Sequence, residues 1–176
     1  MKQEKSKISV LMSVYKKENP EYLRASLESI LVQTRTADEI LLIEDGPLTQ
    51  ELYQVVAEYQ KKCDYLHVHA MEQNVQLGRA LAKGVELCQY DLIARMDTDD
   101  IAMPHRLEKE GAYMEAHPEV DVVGGAIREF NDEGTIDRVK NMPKTQEEIL
   151  EYVKVRNPLN HMTVMYRDRK STRLNS

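Results

Sequence analysis

The stretch Leu92-Ile93-Ala94-Arg95-Met96-Asp97-Thr98-Asp99-Asp100 joins a short apolar run to three carboxylates within four residues. Leu92 to Met96 reads as a strand, and carboxylates crowded at its end repel one another unless a cation sits between them. Hard divalent ions prefer oxygen ligands, and Mg²⁺ or Mn²⁺ is usually held by one or two carboxylates together with substrate phosphates. Ligands of open α/β sheets bind at the carboxyl ends of strands, so the cluster reads as a metal–diphosphate site. It also fits a solvated acidic turn with Asp100 as the N-cap of the next helix. A calcium loop of the EF-hand type fails, because Ile101 and Ala102 stand where a third oxygen ligand and a glycine are needed. A phosphatase with Asp97 as nucleophile survives on the Asp-x-Asp spacing alone. Against it, Ile101 replaces the expected Thr or Val, and three strand–helix units precede the motif instead of none.

Other strand ends carry polar groups as well. Ser13 and Tyr15 follow the first strand, and Asp45 follows the second. Parallel strands bring all of these to one sheet edge. Tyr15 can stack on a base. An ionised Asp45 only accepts hydrogen bonds, which suits the N–H of a uracil-like base or a ribose hydroxyl; it also fits a plain turn residue before Gly46. Arg79, near a helix start, and Lys17 are cations able to pair with a diphosphate. His67 and His69 share one strand face but lack a third ligand nearby, which favours a half-exposed strand over a metal site. His161 lies in the polar turn Asn157-Pro158-Leu159-Asn160-His161, where an acceptor-side role and a structural one both remain open.

The elements that must position these groups alternate in type. Strands are expected at Ile8–Val14, Glu39–Ile43, Tyr65–Met71, Leu92–Met96, Val120–Phe130 and Met162–Tyr166. The strand at 120–130 contains Gly124-Gly125, a sign of a bulge or close backbone approach. Helices are expected from Pro20 to about Gln33, Leu48–Lys62, about Val75–Cys88, Pro104 to about His117, and Thr145 to about Val155. Thr145 and Glu148 are spaced as a capping box, and Asn131-Asp132-Glu133-Gly134 is a hairpin-type turn. This alternation predicts an α/β fold with a largely parallel sheet covered on both faces.

A chain of 176 residues suffices for one domain that buries roughly 70% of its unfolded surface. Its composition is 41% hydrophobic and 31% charged, with 24 cationic against 30 anionic residues and a net charge of −6. That balance gives no electrostatic case for nucleic acid, so an anionic ligand must be met locally by a metal or a few cations. Cys63 and Cys88 form no CxxC pair and read as small core residues. The polar start, Met1 to Lys7, lacks an apolar signal region, and no apolar run is long enough to span a bilayer. A cytoplasmic protein is expected.

The motifs together resemble one family. From about Lys7 to Arg167 the chain is similar to the inverting glycosyltransferases of family two, whose donor-binding half is a Rossmann-like fold called GT-A. The resemblance rests on Ile8-Ser9-Val10-Leu11-Met12-Ser13-Val14-Tyr15, Ser29-Ile30-Leu31-Val32-Gln33-Thr34, Ile43-Glu44-Asp45-Gly46, Asn74-Val75-Gln76-Leu77-Gly78-Arg79-Ala80-Leu81, and the acidic cluster followed by Pro104 and Arg106. It implies transfer of a sugar, with inversion, from a nucleoside diphosphate donor such as a UDP-sugar to a glycan or lipid-linked glycan. It implies Mn²⁺ or Mg²⁺ as cofactor, with Asp99 as principal ligand and Asp97 on metal, sugar or ribose. Asp100 is a possible further group. Asp45 matches the base-recognising aspartate, Ser13 and Tyr15 match positions lining the nucleoside, and Arg79 matches a donor-contacting cation. The stretch Arg156 to Met165 resembles the subset that builds bacterial surface polysaccharides, some members of which transfer galactose. Such an enzyme works in the cytoplasm, at most in peripheral contact with the inner membrane face.

Two departures from the family pattern stand out. Gln76 replaces a usual Gly and Ala82 a usual Asn, which predicts a different loop shape before the third helix. The family's general base is a carboxylate beyond the last strand, and nothing after Tyr166 supplies one, so a donor-binding fragment without turnover is the alternative reading. The domain is expected to span 1–167. The remainder, Asp168 to Ser176, matches the translation of a common short-read sequencing adapter. It is expected to be a disordered artefact, with apolar surface left exposed around Val164 and Tyr166.

Overall fold

The computed structural model describes residues 5–131 and 134–169. The chain runs β1 (Ile8–Val14), α1 (Pro20–Leu31), β2 (Glu39–Glu44), α2 (Gln50–Lys62), β3 (Leu66–Ala70), α3 (Leu77–Leu87), β4 (Leu92–Arg95) and α4 (Arg106–Ala116). It continues through β5 (Val122–Val123), β6 (Ile127–Phe130), β7 (Ile136–Lys140), α5 (Gln146–Tyr152), a 3-10 turn at His161–Thr163, and β8 (Met165–Arg167). Six strands form one sheet in the order β3-β2-β1-β4-β8-β5. β1 is parallel to β2 and β4, and β2 to β3, whereas β8 runs antiparallel to both of its neighbours. This is the expected mostly parallel sheet flanked by helices.

Alternation along the strands sorts the core into two layers. Ile8, Val10, Met12 and Val14 of β1 pack with Leu23, Leu27 and Ile30 of α1, Leu52, Val55 and Val56 of α2, and Leu107 and Met114 of α4. On the opposite face Leu11, Ile43 and Ile93 meet Ala80 and Val85 of α3. Local signals start the helices where they stand. Asn19 accepts the Glu21 N–H at 2.9 Å ahead of Pro20, and the Thr145–Glu148 capping box is formed.

Several expectations need correction. The strand expected over Val120–Phe130 is two strands in two sheets: β5 joins the main sheet and β6 pairs with β7, a strand not anticipated from the sequence. Gly124-Gly125 marks that change of sheet, and there the Thr163 hydroxyl accepts the Gly125 N–H at 2.9 Å. The last strand starts three residues late, because residues 161–163 form the 3-10 turn. Its residues Val164 and Tyr166 are half-buried, since β8 lies between β4 and β5 and Tyr166 packs against the α3 side of the core. Asp100 caps no helix, because α4 begins after His105. Asp168 and Arg169, beyond the expected boundary at 167, are bonded to the body: Asp168 N–H donates to the Asp91 carbonyl at 2.7 Å, and Arg169 pairs with Asp121 at 2.6 Å. The rest of the expected tail lies outside the described residues.

Two backbone positions on the ligand-binding edge are conformationally special. Gly46 has φ +83°, and a Cβ there would lie 2.5 Å from the Asn74 backbone nitrogen. Gln76 has φ 73° and ψ 152°, a region that only glycine enters without cost. The residue that replaces the family's glycine thus keeps a glycine-like backbone and carries its strain. Gly46→Ala is therefore expected to destabilise the fold by about 2–4 kcal/mol, read from the urea midpoint. Gln76→Gly is expected to do the opposite, by about 1 kcal/mol, because relieved strain outweighs the added chain entropy.

Candidate functional site

β4 stops three residues short of the end of β1: Arg95 is paired with Leu11, and the Met96 N–H donates to the Leu11 carbonyl at 3.0 Å. The acidic loop then runs alongside the end of β1. The buried Thr98 hydroxyl donates to Glu18 Oε2 at 2.6 Å and lies 3.3 Å from the Ser13 carbonyl oxygen. This arrangement leaves one carboxylate oxygen each of Asp97, Asp99 and Asp100 within 4.8 Å of one another, with Asp99 exposed and the other two half-buried. Among the described residues no other group of three His, Cys, Asp or Glu side chains could hold a metal, so His67 and His69 stay an unremarked pair on edge strand β3. Three oxygen donors at this spacing suit a hard divalent cation.

Cations surround the cluster. The buried Arg95 forms an ion pair with Asp97, while its Nε makes no hydrogen bond. From the solvent side His161 Nε2 stands 3.7 Å from the other Asp97 oxygen. The 3-10 turn thus brings the last candidate, His161, to the acidic loop from about 60 residues away in the chain. Arg106 locks the base of the loop. Its Nη2 donates to the Arg95 carbonyl at 2.7 Å, its Nη1 lies 3.2 Å from Met96 Sδ, and its Nε pairs with Glu110 at 3.2 Å.

The other candidates form a second group along the same edge. The Asp45 N–H donates to the Val14 carbonyl at 2.8 Å, so β1 and β2 end level with each other. Asp45 is only 4% exposed; it accepts the Val75 N–H at 2.6 Å and the Asn74 side-chain amide at 2.9 Å. It is therefore a clamp on the β3–α3 loop as well as a candidate base contact, a role not seen in the sequence. Two bonds leave part of its acceptor capacity free. Tyr15 is 44% exposed at the end of β1, Lys17 is exposed on the following turn, and Arg79 is exposed in the first turn of α3.

Sequence reasoning missed the scaffold beneath the loop. Ser26 and Ser29 on α1, with Gln33 just past its C-cap, make a buried polar stripe. Ser26 donates to the Asp97 carbonyl at 2.8 Å, and Ser29 Oγ accepts the Ala102 N–H at 3.0 Å. Gln33 donates to the Met103 carbonyl at 2.8 Å and accepts the Leu107 N–H at 3.1 Å. Spacing at i, i+3 and i+7 was the available signal, since polar residues at core positions must find partners.

Burial raises the Asp100 carboxyl to about 6, with the charges of Asp97 and Asp99 adding to the effect and Arg95 and Arg106 opposing it. Burial also lifts Glu110 to about 7, against the pull of Arg106. For Glu110 the folded value lies above the unfolded one, so the folded state binds the extra proton and its contribution is fully present below about pH 4.5. That contribution is lost as pH rises towards 7. Urea unfolding of the wild type is expected to show stability declining across this window, with a shallower decline in Glu110→Gln.

Comparison with known proteins follows from this geometry. Residues 9–173 match the family described as glycosyl transferase family 2. The amylovoran biosynthesis glycosyltransferase AmsE of Erwinia amylovora is 44% identical over 92% of this chain. A UDP-Gal:alpha-D-GlcNAc-diphosphoundecaprenol beta-1,3-galactosyltransferase of Escherichia coli is 34% identical over 95%. In both cases the chain spans about 60% of the relative's length. The structure of S. aureus TarS 1-349 in complex with UDP-GlcNAc superposes with a TM-score of 0.70 at 21% identity, covering 92% of this chain and 45% of that one; it shares the fold. Family membership sets aside the aspartate-nucleophile phosphatase. The acidic loop beyond β4 and the match over residues 9–173 make this chain a member of glycosyl transferase family 2.

Proposed function

We propose that this chain is the donor-binding part of an inverting glycosyltransferase that takes a sugar from a nucleoside diphosphate, a UDP-sugar foremost, and builds a bacterial surface polysaccharide. The observation that carries this reading is the convergence of three carboxylate oxygens within 4.8 Å in the loop that leaves β4 and runs alongside the end of β1. Relatives point the same way. AmsE is named for amylovoran biosynthesis, the Escherichia coli relative for a UDP-galactose donor and a diphosphoundecaprenol-linked acceptor, and the TarS structure holds UDP-GlcNAc.

Each residue has an assigned task. Asp99, exposed at the cluster's outer side, is the principal ligand of Mn²⁺ or Mg²⁺, with Asp97 beside it and Asp100 behind. Bound there, the cation supplies neutralising charge for a diphosphate leaving group. Arg95 orients the Asp97 carboxylate, and His161 closes the site from the acceptor side. Tyr15 stacks on the base, Asp45 accepts from its N–H, Ser13 lines the nucleoside, and Arg79 and Lys17 face the diphosphate. The carboxylate that deprotonates the acceptor hydroxyl is assigned outside this chain. Donor binding therefore belongs to this chain and transfer to the whole protein. No helix of the described residues is long and apolar enough to cross a membrane.

Isothermal titration with UDP tests the assignment. Mn²⁺ is expected to tighten UDP binding, and Asp99→Ala to remove most of that gain, at least tenfold in Kd. An Asp99→Ala protein that binds UDP–Mn²⁺ as tightly as the parent would overturn the metal assignment. Tyr15→Ala is expected to weaken UDP about tenfold with and without metal, the size of one lost stacking contact.

A further inference from the structure

We propose that Gln33, together with Ser29 and Ser26, is a positioning residue for the metal-binding carboxylates, acting through the backbone of the acidic loop. The inference rests on the divalent-metal reading above. None of the three side chains touches a carboxylate. All are buried, and each is bonded to a different part of residues 97–107. Ser26 holds the carbonyl of Asp97, and Ser29 holds the N–H of Ala102, two residues past Asp100. Gln33 holds the carbonyl of Met103 and the N–H of Leu107, while its remaining amide proton goes to the Ser29 carbonyl at 3.0 Å. The Thr34 N–H adds a bond to the Pro104 carbonyl at 2.9 Å.

The order of these bonds matters. Residues 26 and 29 lie on one face of α1 and residue 33 follows its C-cap, and they meet residues 97, 102 and 103–107 in the same order. α1 thus acts as a ruler laid against a loop that has no regular structure of its own. Its other end is fixed by the Asn19 cap, and the turn before it carries Tyr15 and Lys17. One rigid helix therefore sets both the nucleoside edge and the acidic loop. Coordination of a cation tolerates displacements of only a few tenths of an ångström in its ligands, whereas Tyr15 follows β1, to which none of these side-chain bonds of Ser26, Ser29 and Gln33 runs. Gln33 also receives the first turn of α4 through Leu107, next to Arg106, whose guanidinium holds the Arg95 carbonyl. Loss of Gln33 loosens the loop at its far side and at its root.

The test uses the 176-residue chain, UDP and Mn²⁺. UDP affinity is measured with and without Mn²⁺ for the wild type, Gln33→Met and Ser29→Ala, together with amide hydrogen exchange across residues 97–103. Gln33→Met keeps the volume and removes all three bonds; Ser29→Ala is the milder variant, kept in case the first does not fold. In at least one folded variant the Mn²⁺-dependent gain in UDP affinity is expected to fall at least fivefold. Metal-free UDP affinity stays within twofold of wild type, and exchange quickens in 97–103 but not in β1. Equal loss of both affinities makes the stripe merely structural and overturns the inference, as does a Mn²⁺ gain that survives in the folded variants, or failure of both variants to fold. A wild type that gains nothing from Mn²⁺ overturns the metal reading itself, and the inference with it.

Discussion

Mutual repulsion among Asp97, Asp99 and Asp100 is the constraint around which the rest of this structure is arranged. Three carboxylates sharing one strand end hold together only if cations or fixed dipoles offset their charge and if the backbone cannot relax away. Both conditions are met from several directions. Arg95 sits beneath Asp97, His161 approaches from solvent, and Arg106 ties the root of the loop to β4 and β8. The loop backbone is anchored at intervals to α1. Burial, with the charges of Asp97 and Asp99 adding to it, raises the Asp100 carboxyl.

The two faces of the sheet divide the labour. α1, α2 and α4 cover one face with the larger apolar cluster, and α3 covers the other. α1 and α4 flank the acidic loop, and their packing against β1 is what gives the anchoring bonds a fixed origin. α3 follows the loop that packs on the end of β2 instead, where Asp45, Gly46, Asn74, Val75 and the strained Gln76 are pressed together. A tight, internally satisfied edge beside an exposed aromatic ring suits recognition of a flat base better than a loose loop would.

What the sequence disclosed followed from local physics. The strand ending in Asp97, the helix opening at Pro20 and the Thr145–Glu148 cap each depend on neighbours within a few residues, and all were legible. The clustering of Asp97, Asp99 and Asp100 was legible too, because a strand end and a short loop leave few ways to separate them. The rest depended on segments distant in the chain, 29 to 74 residues away. Arg95 and Arg106 read as ordinary charged residues until the fold buries them against the loop. The polar stripe of α1 looks like a weakness in an apolar face unless the loop that satisfies it is known. The break at Gly124-Gly125 was sensed as a bulge, but which sheet each half joins is decided by Thr163, 38 residues later. Asp45 was seen as a ligand group and not as a clamp, since its partners Asn74 and Val75 lie across two elements.

The antiparallel strand β8 has a consequence for how the chain must be made. β4 pairs with β1 on one side, but its other side is covered only by residues 165–167. During synthesis β1 to β4, with their helices, can assemble while some 70 further residues are still to come. Throughout that interval the outer edge of β4, next to the acidic loop, presents unpaired backbone groups to any strand that meets it. The long sequence separation also makes β8 docking a slow step relative to the local βα units. The three carboxylates just beyond that open edge set like charge against like, which discourages a second copy of the same nascent sheet from adding edge to edge before the chain has supplied its own partner.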